Sequence, residues 1–282
     1  MNIFVSGATG KVGSRFVPYL LQRGHNVKVL VRDAAKAQMY QQQGVEVCEG
    51  DLLQEERLVN ELRGIDVVVH LAAQFRGVDE AAAKRANIDG SMALARAALK
   101  ADVPRFVFAS TNLVYGSGNA PRPSREDDEL RPIFLYPQTK VAAEEALLQL
   151  HNEQGLGLRI VRFAFVYGDR DPHITEFLPM MRTWNPAKRL HMVHHADVSQ
   201  SLLLAASTPG IDGRIYNVAD DAPISVAELF QHHGFTGQES AEIEQQAFNP
   251  WDMIVDTTRI RAELNYRPIF PSFYTARDAG AL

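Results

Sequence analysis

The amino-acid sequence predicts an α/β fold, a doubly wound parallel sheet flanked by helices, with a small, discontinuous C-terminal lobe. In the first half, short β-branched runs alternate with stretches that carry apolar residues at helical spacing, which is the cadence of a parallel sheet with right-handed crossovers. A glycine-rich turn at 7–13 joins the first run to the first helical stretch. After Gly168 the rhythm changes, and residues 169–195 hold three prolines and mixed polarity.

The elements are assigned in chain order from periodicity and turn signals. Residues 66–71 (DVVVHL) are almost continuously apolar, as expected of a strand buried on both faces. Gly44 and Gly64 end two of the helical stretches. The predicted strands are 2–6, 27–31, 45–48, 66–71, 105–109, 158–164 and 214–218. The predicted helices are 12–23, 34–43, 54–63, 79–100, 137–153, 196–207, 225–233 and 256–264.

Two domains follow from this order. Residues 1–168 form the first, whose core also receives later segments from about 190–220, and residues 169–282 form most of the smaller lobe. The tail 266–282 has little periodicity, and we expect it to pack loosely.

Composition excludes several classes of protein. The net charge of −5 gives the chain no electrostatic attraction to nucleic acid or to anionic membrane. Cys48 is the single cysteine, so an intrachain disulfide and a cysteine-rich metal site are excluded. No apolar run approaches the ~20 residues of a membrane span, and the N-terminus opens directly into a strand. We therefore expect a cytoplasmic protein without a bound metal.

The glycine turn predicts a dinucleotide site. In Gly7-Ala8-Thr9-Gly10-Lys11-Val12-Gly13, Gly7 permits the tight turn, Gly10 lets the backbone approach a pyrophosphate, and Gly13 allows close packing of helix and strand. Backbone N–H groups and the helix dipole then hold the anion. The predicted sheet is therefore of the Rossmann type, and residues 1–168 are the dinucleotide-binding domain.

The end of the second strand bears on which dinucleotide binds. NAD sites usually place an acidic residue there, whereas Arg32 is suited to a bidentate contact with a 2′-phosphate, with Lys36 adding charge. Two other interpretations stay open: Asp33 takes the acidic role one position late, or Arg32 and Asp33 form a solvated turn. Asp51, after the third strand, either accepts a hydrogen bond from the adenine amine or caps its loop. We expect NADP(H) rather than NAD(H).

Candidate catalytic residues lie near the carboxyl end of the fifth strand. Tyr136 and Lys140 are four residues apart and share one face of a helix. A nearby ammonium favours the phenolate and brings the tyrosine pKa, normally ~10, closer to neutrality. Thr111 ends the strand 105–109 with Ser110 and can hydrogen-bond a substrate oxygen.

These residues belong to a wider set of landmarks that occur in order. They are GATGKVG at 7–13, Gly50-Asp51-Leu52, His70-Leu71-Ala72-Ala73, Asn87 before Gly90-Ser91, FASTNLVYG at 108–116, YPQTK at 136–140, RFAFVYG at 162–168, and His194 to Asp197-Val198. With them the chain, from Met1 to about Pro268, resembles an extended short-chain dehydrogenase/reductase of the epimerase/dehydratase branch. Within that branch it is more similar to the carbonyl-reducing members.

The resemblance implies a role for each matching residue. Tyr136 would be the general acid/base, Lys140 would hold the nicotinamide ribose and lower the tyrosine pKa, and Thr111 would position the substrate oxygen. The residues implied to contact the cofactor are Gly7, Thr9, Gly10, Lys11, Val12, Gly13, Arg32, Asp51, Leu52, Leu71, Ala72, Ala73, Lys140, Phe163 and Val166. The resemblance also implies a homodimer built on helices within 79–100 and 137–153.

At two places in the sequence the residues of this chain differ from those of related sugar-nucleotide enzymes, which limits the class of substrate we expect. Sugar-nucleotide dehydratases carry Asp-Glu where this chain has Asn112-Leu113, which cannot act as acid or base. Sugar-nucleotide epimerases carry an asparagine where this chain has Phe165, so the pocket is more apolar. Gln74 and Phe75, just after the fourth strand, are further candidates for substrate contact, with Asn112 and Phe165.

The leading hypothesis is an NAD(P)-dependent oxidoreductase that transfers hydride between nicotinamide and a small carbonyl or alcohol. A sugar or nucleotide-sugar epimerase using the same tyrosine is the alternative, and a non-catalytic NAD(P) sensor is a third. Nine histidines do not predict a metal, since adjacent histidines such as His194-His195 cannot face one way on a helix. We expect His194 to pack or hydrogen-bond at the start of helix 196–207.

Overall fold

The protein is described by a computed structural model over residues 1–118, 120–235 and 247–282. Its strands are β1 Asn2–Ser6, β2 Asn26–Val31, β3 Glu46–Glu49, β4 Val67–His70, β5 Phe106–Thr111, β6 Leu158–Phe163, β7 Phe165–Tyr167, β8 Arg189–Leu190, β9 Met192–His194, β10 Arg214–Val218 and β11 Ile224–Ser225. Its α-helices are α1 Gly13–Leu21, α2 Gln38–Gln41, α3 Glu55–Glu61, α4 Glu80–Lys84, α5 Gly90–Lys100, α6 Leu135–Gln154, α7 His173–Met181, α8 His195–Ser207, α9 Val226–His232, α10 Thr258–Leu264 and α11 Phe273–Asp278.

A seven-stranded sheet organises the first part of the chain, in the order β10-β6-β5-β4-β1-β2-β3. The pairs β1–β2, β1–β4, β2–β3 and β4–β5 are parallel. The chain thus winds outward from β1 in both directions, which confirms the predicted doubly wound, Rossmann-type α/β fold. In such sheets the ligand lies at the carboxyl ends of the strands where the winding direction reverses, here between β1 and β4.

Two predicted helices are not continuous. The stretch 34–43 divides into a 3₁₀ turn at Ala34–Ala37 and the short α2, because the Asp33 carboxylate accepts a hydrogen bond from Ala35 N at 3.0 Å and so starts a tight turn. The stretch 79–100 is interrupted between α4 and α5 by a π-helical segment, Arg85–Asp89. Such wider turns often occur at functional sites.

The prediction for the tail was wrong. Ser272 caps α11 with a capping box, and Phe273 and Ala276 on that helix are buried. Beyond it, the Ala281 carbonyl accepts hydrogen bonds from Asp169 N at 2.8 Å and from the His194 ring at 2.7 Å. A helix of six residues is too short to give a periodic signal, which is why the sequence did not indicate it.

The described chain divides into two compact units. The first comprises 1–114, 132–162 and 199–215, and its core lies between sheet and helices, with Phe4, Val68 and Phe106 fully buried. The second comprises 115–131, 163–198 and 216–282 and has a separate core built around Tyr167, Met181 and Phe273. Among the described residues, no helix is long and apolar enough to cross a membrane.

Candidate active site

A cavity of about 440 Å³ opens in the first unit at the carboxyl ends of β1, β2 and β4. It brings together nine of the predicted cofactor residues, namely Gly7, Thr9, Gly10, Arg32, Asp51, Leu52, Leu71, Ala72 and Ala73. Of the candidate substrate residues, Gln74 also lines it. Lys11, Val12 and Gly13 continue the glycine turn but are outside its lining, as is Lys140.

The glycine turn at the cavity is compact for reasons of backbone geometry. Gly7 has a φ of +77°, and a Cβ on it would come within 2.5 Å of Ala72 N. A Cβ on Gly13 would come within 2.2 Å of the Gly7 carbonyl oxygen. Tyr40 on α2 stabilises the turn, because its hydroxyl donates a hydrogen bond to the Ala8 carbonyl at 3.0 Å. The cavity therefore has a wall of bare backbone, which suits the diphosphate of a dinucleotide.

Polar side chains also line the same cavity. Arg32 is exposed at its edge. One carboxylate oxygen of Asp33 accepts from Ala35 N, and the Asp51 carboxylate accepts from Leu53 N at 2.9 Å. Asp51 thus caps its own loop while it lines the cavity. Asp51 can accept a hydrogen bond from the adenine amine and Arg32 can donate to a 2′-phosphate, so these residues beside the glycine turn fit a dinucleotide.

Tyr136 and Lys140 lie on the first turns of α6, which packs against β5 and the π-helical segment. The Tyr136 ring is half-buried, and desolvation raises its pKa to about 12. Lys140 is buried, with its Nζ 4.0 Å from the centroid of the Phe108 ring. Desolvation lowers the Lys140 pKa to about 7, against the opposing effect of Glu144 one turn further along α6.

Thr111 is the last residue of β5 and is buried. Its hydroxyl oxygen accepts from Leu113 N at 3.2 Å, which leaves the hydroxyl proton to be donated elsewhere. Asn112, also buried, begins a 3₁₀ turn, Asn112–Tyr115, directly after it.

Asn87 connects the cavity to α6, and sequence reasoning did not assign it this role. Its side chain accepts from Gln74 N at 2.7 Å, donates to the Gln74 carbonyl at 2.9 Å and donates to Thr139 Oγ1 at 2.9 Å. The next residue, Phe75, meets Tyr136 edge to face, with ring centroids 4.7 Å apart. Asn87 therefore fixes the cavity wall and the tyrosine helix relative to each other.

His70, at the end of β4, extends this polar network. It is fully buried, and desolvation lowers its pKa to about 3, so the ring is neutral. Ser91 gives its hydroxyl proton to the Asn87 carbonyl at 2.6 Å and so accepts from His70 Nε2 at 2.9 Å. His70 Nδ1 then accepts from the Ser6 hydroxyl at 2.5 Å. The network holds β1, β4 and α5 together directly behind the glycine turn.

Phe163, Phe165 and Val166 belong to the second unit. The Phe165 ring stacks on His173, with centroids 4.1 Å apart and planes within 10°. His173 Nδ1 lies 2.9 Å from the Val166 carbonyl, which holds its ring in place. His194 behaves as expected at the start of α8, since its Nδ1 accepts from Ala196 N at 3.0 Å. No group of three or more potential metal ligands occurs in the described part of the chain.

Comparison with known proteins agrees with this arrangement. A model of the NAD-dependent epimerase/dehydratase family matches residues 3–219. The chain belongs to this family. The resemblance inferred from the landmarks is therefore confirmed, and the protein is an enzyme of the extended short-chain dehydrogenase/reductase type.

Individual relatives within the family differ in activity. A "4-hydroxy-2-methyl-3-oxo-4-farnesyl-3,4-dihydroquinoline-1-oxide ketoreductase" from Stigmatella aurantiaca is 35% identical over 80% of this chain and 70% of its own length. A UDP-glucose 4-epimerase from Thermotoga maritima, solved with UDP-glucose, has a TM-score of 0.79, 25% identity and 99% coverage of both chains. MoeE5, solved with UDP-glucuronic acid and NAD, has a TM-score of 0.76 and 25% identity, covering 99% of this chain and all of its own. NAD is thus bound by a structural neighbour of this fold.

Proposed function

We propose that this protein is an NAD(P)H-dependent ketoreductase with Tyr136 as its acid/base. The observation that carries the proposal is the position of Tyr136: its ring contacts Phe75, the residue after the cavity-lining Gln74, and Lys140 lies one helical turn away. The ketoreductase from Stigmatella aurantiaca supports a carbonyl substrate, because it is 35% identical over most of the chain.

The roles of the side chains follow from their chemistry. Tyr136 Oη and Thr111 Oγ1 each carry a proton that can be donated to a carbonyl oxygen. The glycine turn, Arg32 and Asp51 would hold a nicotinamide dinucleotide in the cavity, and the bound cofactor would supply the hydride that reduces a carbonyl carbon. Tyr136 gives its proton to the carbonyl oxygen, which completes the C–OH group, and the Lys140 ammonium stabilises the phenolate left behind. Desolvation raises the Tyr136 pKa to about 12, so the phenolate is costly unless a cation lies close to it.

Removal of the Tyr136 hydroxyl tests this mechanism. We expect Tyr136→Phe to lower the rate of ketone reduction by about 10²–10⁴-fold, the usual contribution of a general acid, while cofactor affinity stays the same. The rate is followed by NADPH oxidation. Tyr274→Phe is the matched control, because Tyr274 lies in the second unit, on α11, and bonds Glu228. An unchanged rate of ketone reduction in Tyr136→Phe would contradict the acid/base role of Tyr136.

We propose further that NADP(H) is preferred over NAD(H). Arg32 stands exposed at the cavity edge, while one oxygen of Asp33 is occupied by the backbone of its own turn. Titration calorimetry should give an affinity for NADPH at least about tenfold above that for NADH, and Arg32→Ala should abolish the difference. Arg63→Ala, an exposed arginine outside the cavity lining, should retain it. A preference for NADH would contradict the role given to Arg32.

The structural likeness to a UDP-glucose 4-epimerase supports a second candidate, a sugar or nucleotide-sugar epimerase. Such an enzyme oxidises and re-reduces one substrate, so it should purify with its cofactor tightly bound and should interconvert sugar nucleotides without added NADPH. The Phe165–His173 stack argues against it, since it places an apolar ring where the sugar-nucleotide enzymes carry an asparagine. Incubation with UDP-glucose distinguishes the two candidates.

A further inference from the structure

Phe75 occupies an unusual position for a large apolar side chain. Its ring meets Tyr136 at an interplanar angle of 86°, with the centroids 4.7 Å apart, yet 41% of the residue is exposed. Aromatic rings of this size are usually well buried. The exposed part therefore presents an apolar surface next to the residue that would donate the proton.

Polar contacts of the two neighbouring residues, Gln74 and Arg76, hold the backbone and ring of Phe75 in place. The backbone N–H and carbonyl of Gln74 are both bonded to the buried Asn87 side chain. The Gln74 side chain donates to the Arg76 carbonyl at 2.8 Å, and the Arg76 guanidinium lies 4.5 Å from the centroid of the Phe75 ring. The ring is thus positioned before any ligand arrives, which lowers the entropic cost of contacting one.

We propose that Phe75 determines substrate specificity, and that it selects ketones whose carbonyl is attached to an aromatic ring. This inference rests on the proposed ketoreductase function. To receive the proton, the carbonyl oxygen must come within about 2.6–3.2 Å of Tyr136 Oη. The group attached to the carbonyl then lies within reach of Phe75, which touches the same tyrosine. A flat aromatic group gains more from such a contact than a saturated ring of equal size, because the quadrupoles of two rings attract in offset or edge-to-face geometry.

The test compares two ketones with one carbon skeleton. α-Tetralone carries a fused benzene ring, and decalone is its saturated counterpart. We expect Phe75→Leu, which keeps an apolar side chain but removes the ring, to lower kcat/KM for α-tetralone by about five- to tenfold and for decalone by less than about twofold. Phe75→Tyr, which keeps an aromatic ring, should show the wild-type kcat/KM for both ketones. Using the ratio of variant to wild type for each ketone cancels their different intrinsic reactivity.

Phe134→Ala is the matched control. Phe134 is also an exposed phenylalanine, at 68%, two residues before Tyr136. We expect it to leave the ratio between the two ketones unchanged. If Phe75→Leu changes both ketones equally or neither, or if Phe134→Ala has the same selective effect as Phe75→Leu, the role of Phe75 is overturned while the ketoreductase function stands.

A binding measurement separates failure of this inference from failure of the proposed function. If the wild type reduces neither ketone, the proposed activity on such ketones fails, and saturation-transfer NMR of α-tetralone with the NADP⁺-loaded protein decides the role of Phe75. A signal that disappears in Phe75→Leu supports an aromatic binding surface. A signal that is absent from the wild type, or that persists in the variant, overturns it.

Discussion

At the scale of a single residue, burial of Lys140 changes the pKa of its side chain. Its side chain is buried beside the Phe108 ring, and desolvation lowers its pKa to about 7. A lysine in the unfolded chain has a pKa of about 10.4. Between these two values the unfolded chain binds more protons than the folded one, so this group makes the protein more stable as the pH rises.

Replacing Lys140 by a neutral side chain of similar length should remove that dependence. We expect the free energy of unfolding of Lys140→Met to exceed that of the wild type by about 3–5 kcal/mol below a pH of about 7, and the excess to shrink toward a pH of about 10. Urea unfolding of the cofactor-free proteins across this range measures it. Lys84→Met, at an exposed lysine paired with Glu80, should give a small difference that is constant with pH. A constant difference for Lys140→Met would contradict the lowered pKa.

Residue patterns in the sequence indicated the pair Tyr136 and Lys140 but not the role of Asn87. Tyr136 and Lys140 are visible because a helix places residues four apart on one face. Asn87 is among the landmarks, but its role gave no such signal, because its partners Gln74 and Thr139 lie 13 and 52 residues away and meet it only in the folded chain. Hydrogen bonds between distant segments follow from packing, which a single sequence does not specify.

At the scale of elements, α6 is fastened to β6 by a buried ion pair. Arg162 Nη2 lies 2.5 Å from Glu144 Oε2, and Arg162 Nε bonds both carboxylate oxygens at 3.1 and 3.2 Å. Both side chains are almost fully buried. A lone charge at this depth is costly, whereas two neutral groups of similar size can pack there.

Variants of this pair should therefore be strongly non-additive. We expect Arg162→Met to lower the free energy of unfolding by about 3–5 kcal/mol, and the double variant Arg162→Met/Glu144→Gln to lower it by less. Urea denaturation measures both. Arg96→Met, which breaks a partly exposed pair with Glu55, should cost no more than about 1 kcal/mol. A double variant less stable than Arg162→Met would contradict this prediction, because it would show that the unpaired Glu144 charge is not the source of the loss.

The π-helical segment provides a second prediction at this scale. Asn87→Ala would leave the Gln74 backbone groups without their partner, so we expect a loss of about 1–3 kcal/mol in the free energy of unfolding. Weaker cofactor binding should accompany it, since Gln74 lines the cavity. Calorimetry and urea unfolding measure the two effects. Asn60→Ala, at an exposed position on α3, should change neither stability nor cofactor binding. An equal loss in that variant would mean that the hydrogen bonds between Asn87 and Gln74 are not the cause.

For the whole molecule, the sheet was predictable and much of the second unit was not. Each strand of the first half is bounded by a turn signal and followed by a helix, so order and direction follow from the sequence. In the second unit, β8 and β11 are two residues long and pair with each other across more than thirty intervening residues. Strands this short carry no periodic signal, and their pairing depends on the core around them.

We propose that the whole molecule is a homodimer, as the resemblance to extended short-chain dehydrogenases implies, with the contact formed by helices within the predicted stretches 79–100 and 137–153. Multi-angle light scattering should then give a mass of twice 31.4 kDa that persists on dilution to enzyme-assay concentrations. A monomer mass under these conditions would contradict the proposal.

The hydrogen bonds of Ala281 affect the order in which the protein can fold during synthesis. The His194 ring that donates to Ala281 is made 87 residues earlier. At a translation rate of about 5–20 residues per second, Ala281 is synthesised roughly 4–17 seconds after His194. The interval is longer for Asp169, whose backbone N–H donates to the same carbonyl. On the ribosome, most of the sheet is therefore available to fold while the loop that follows β7 still lacks its final contacts.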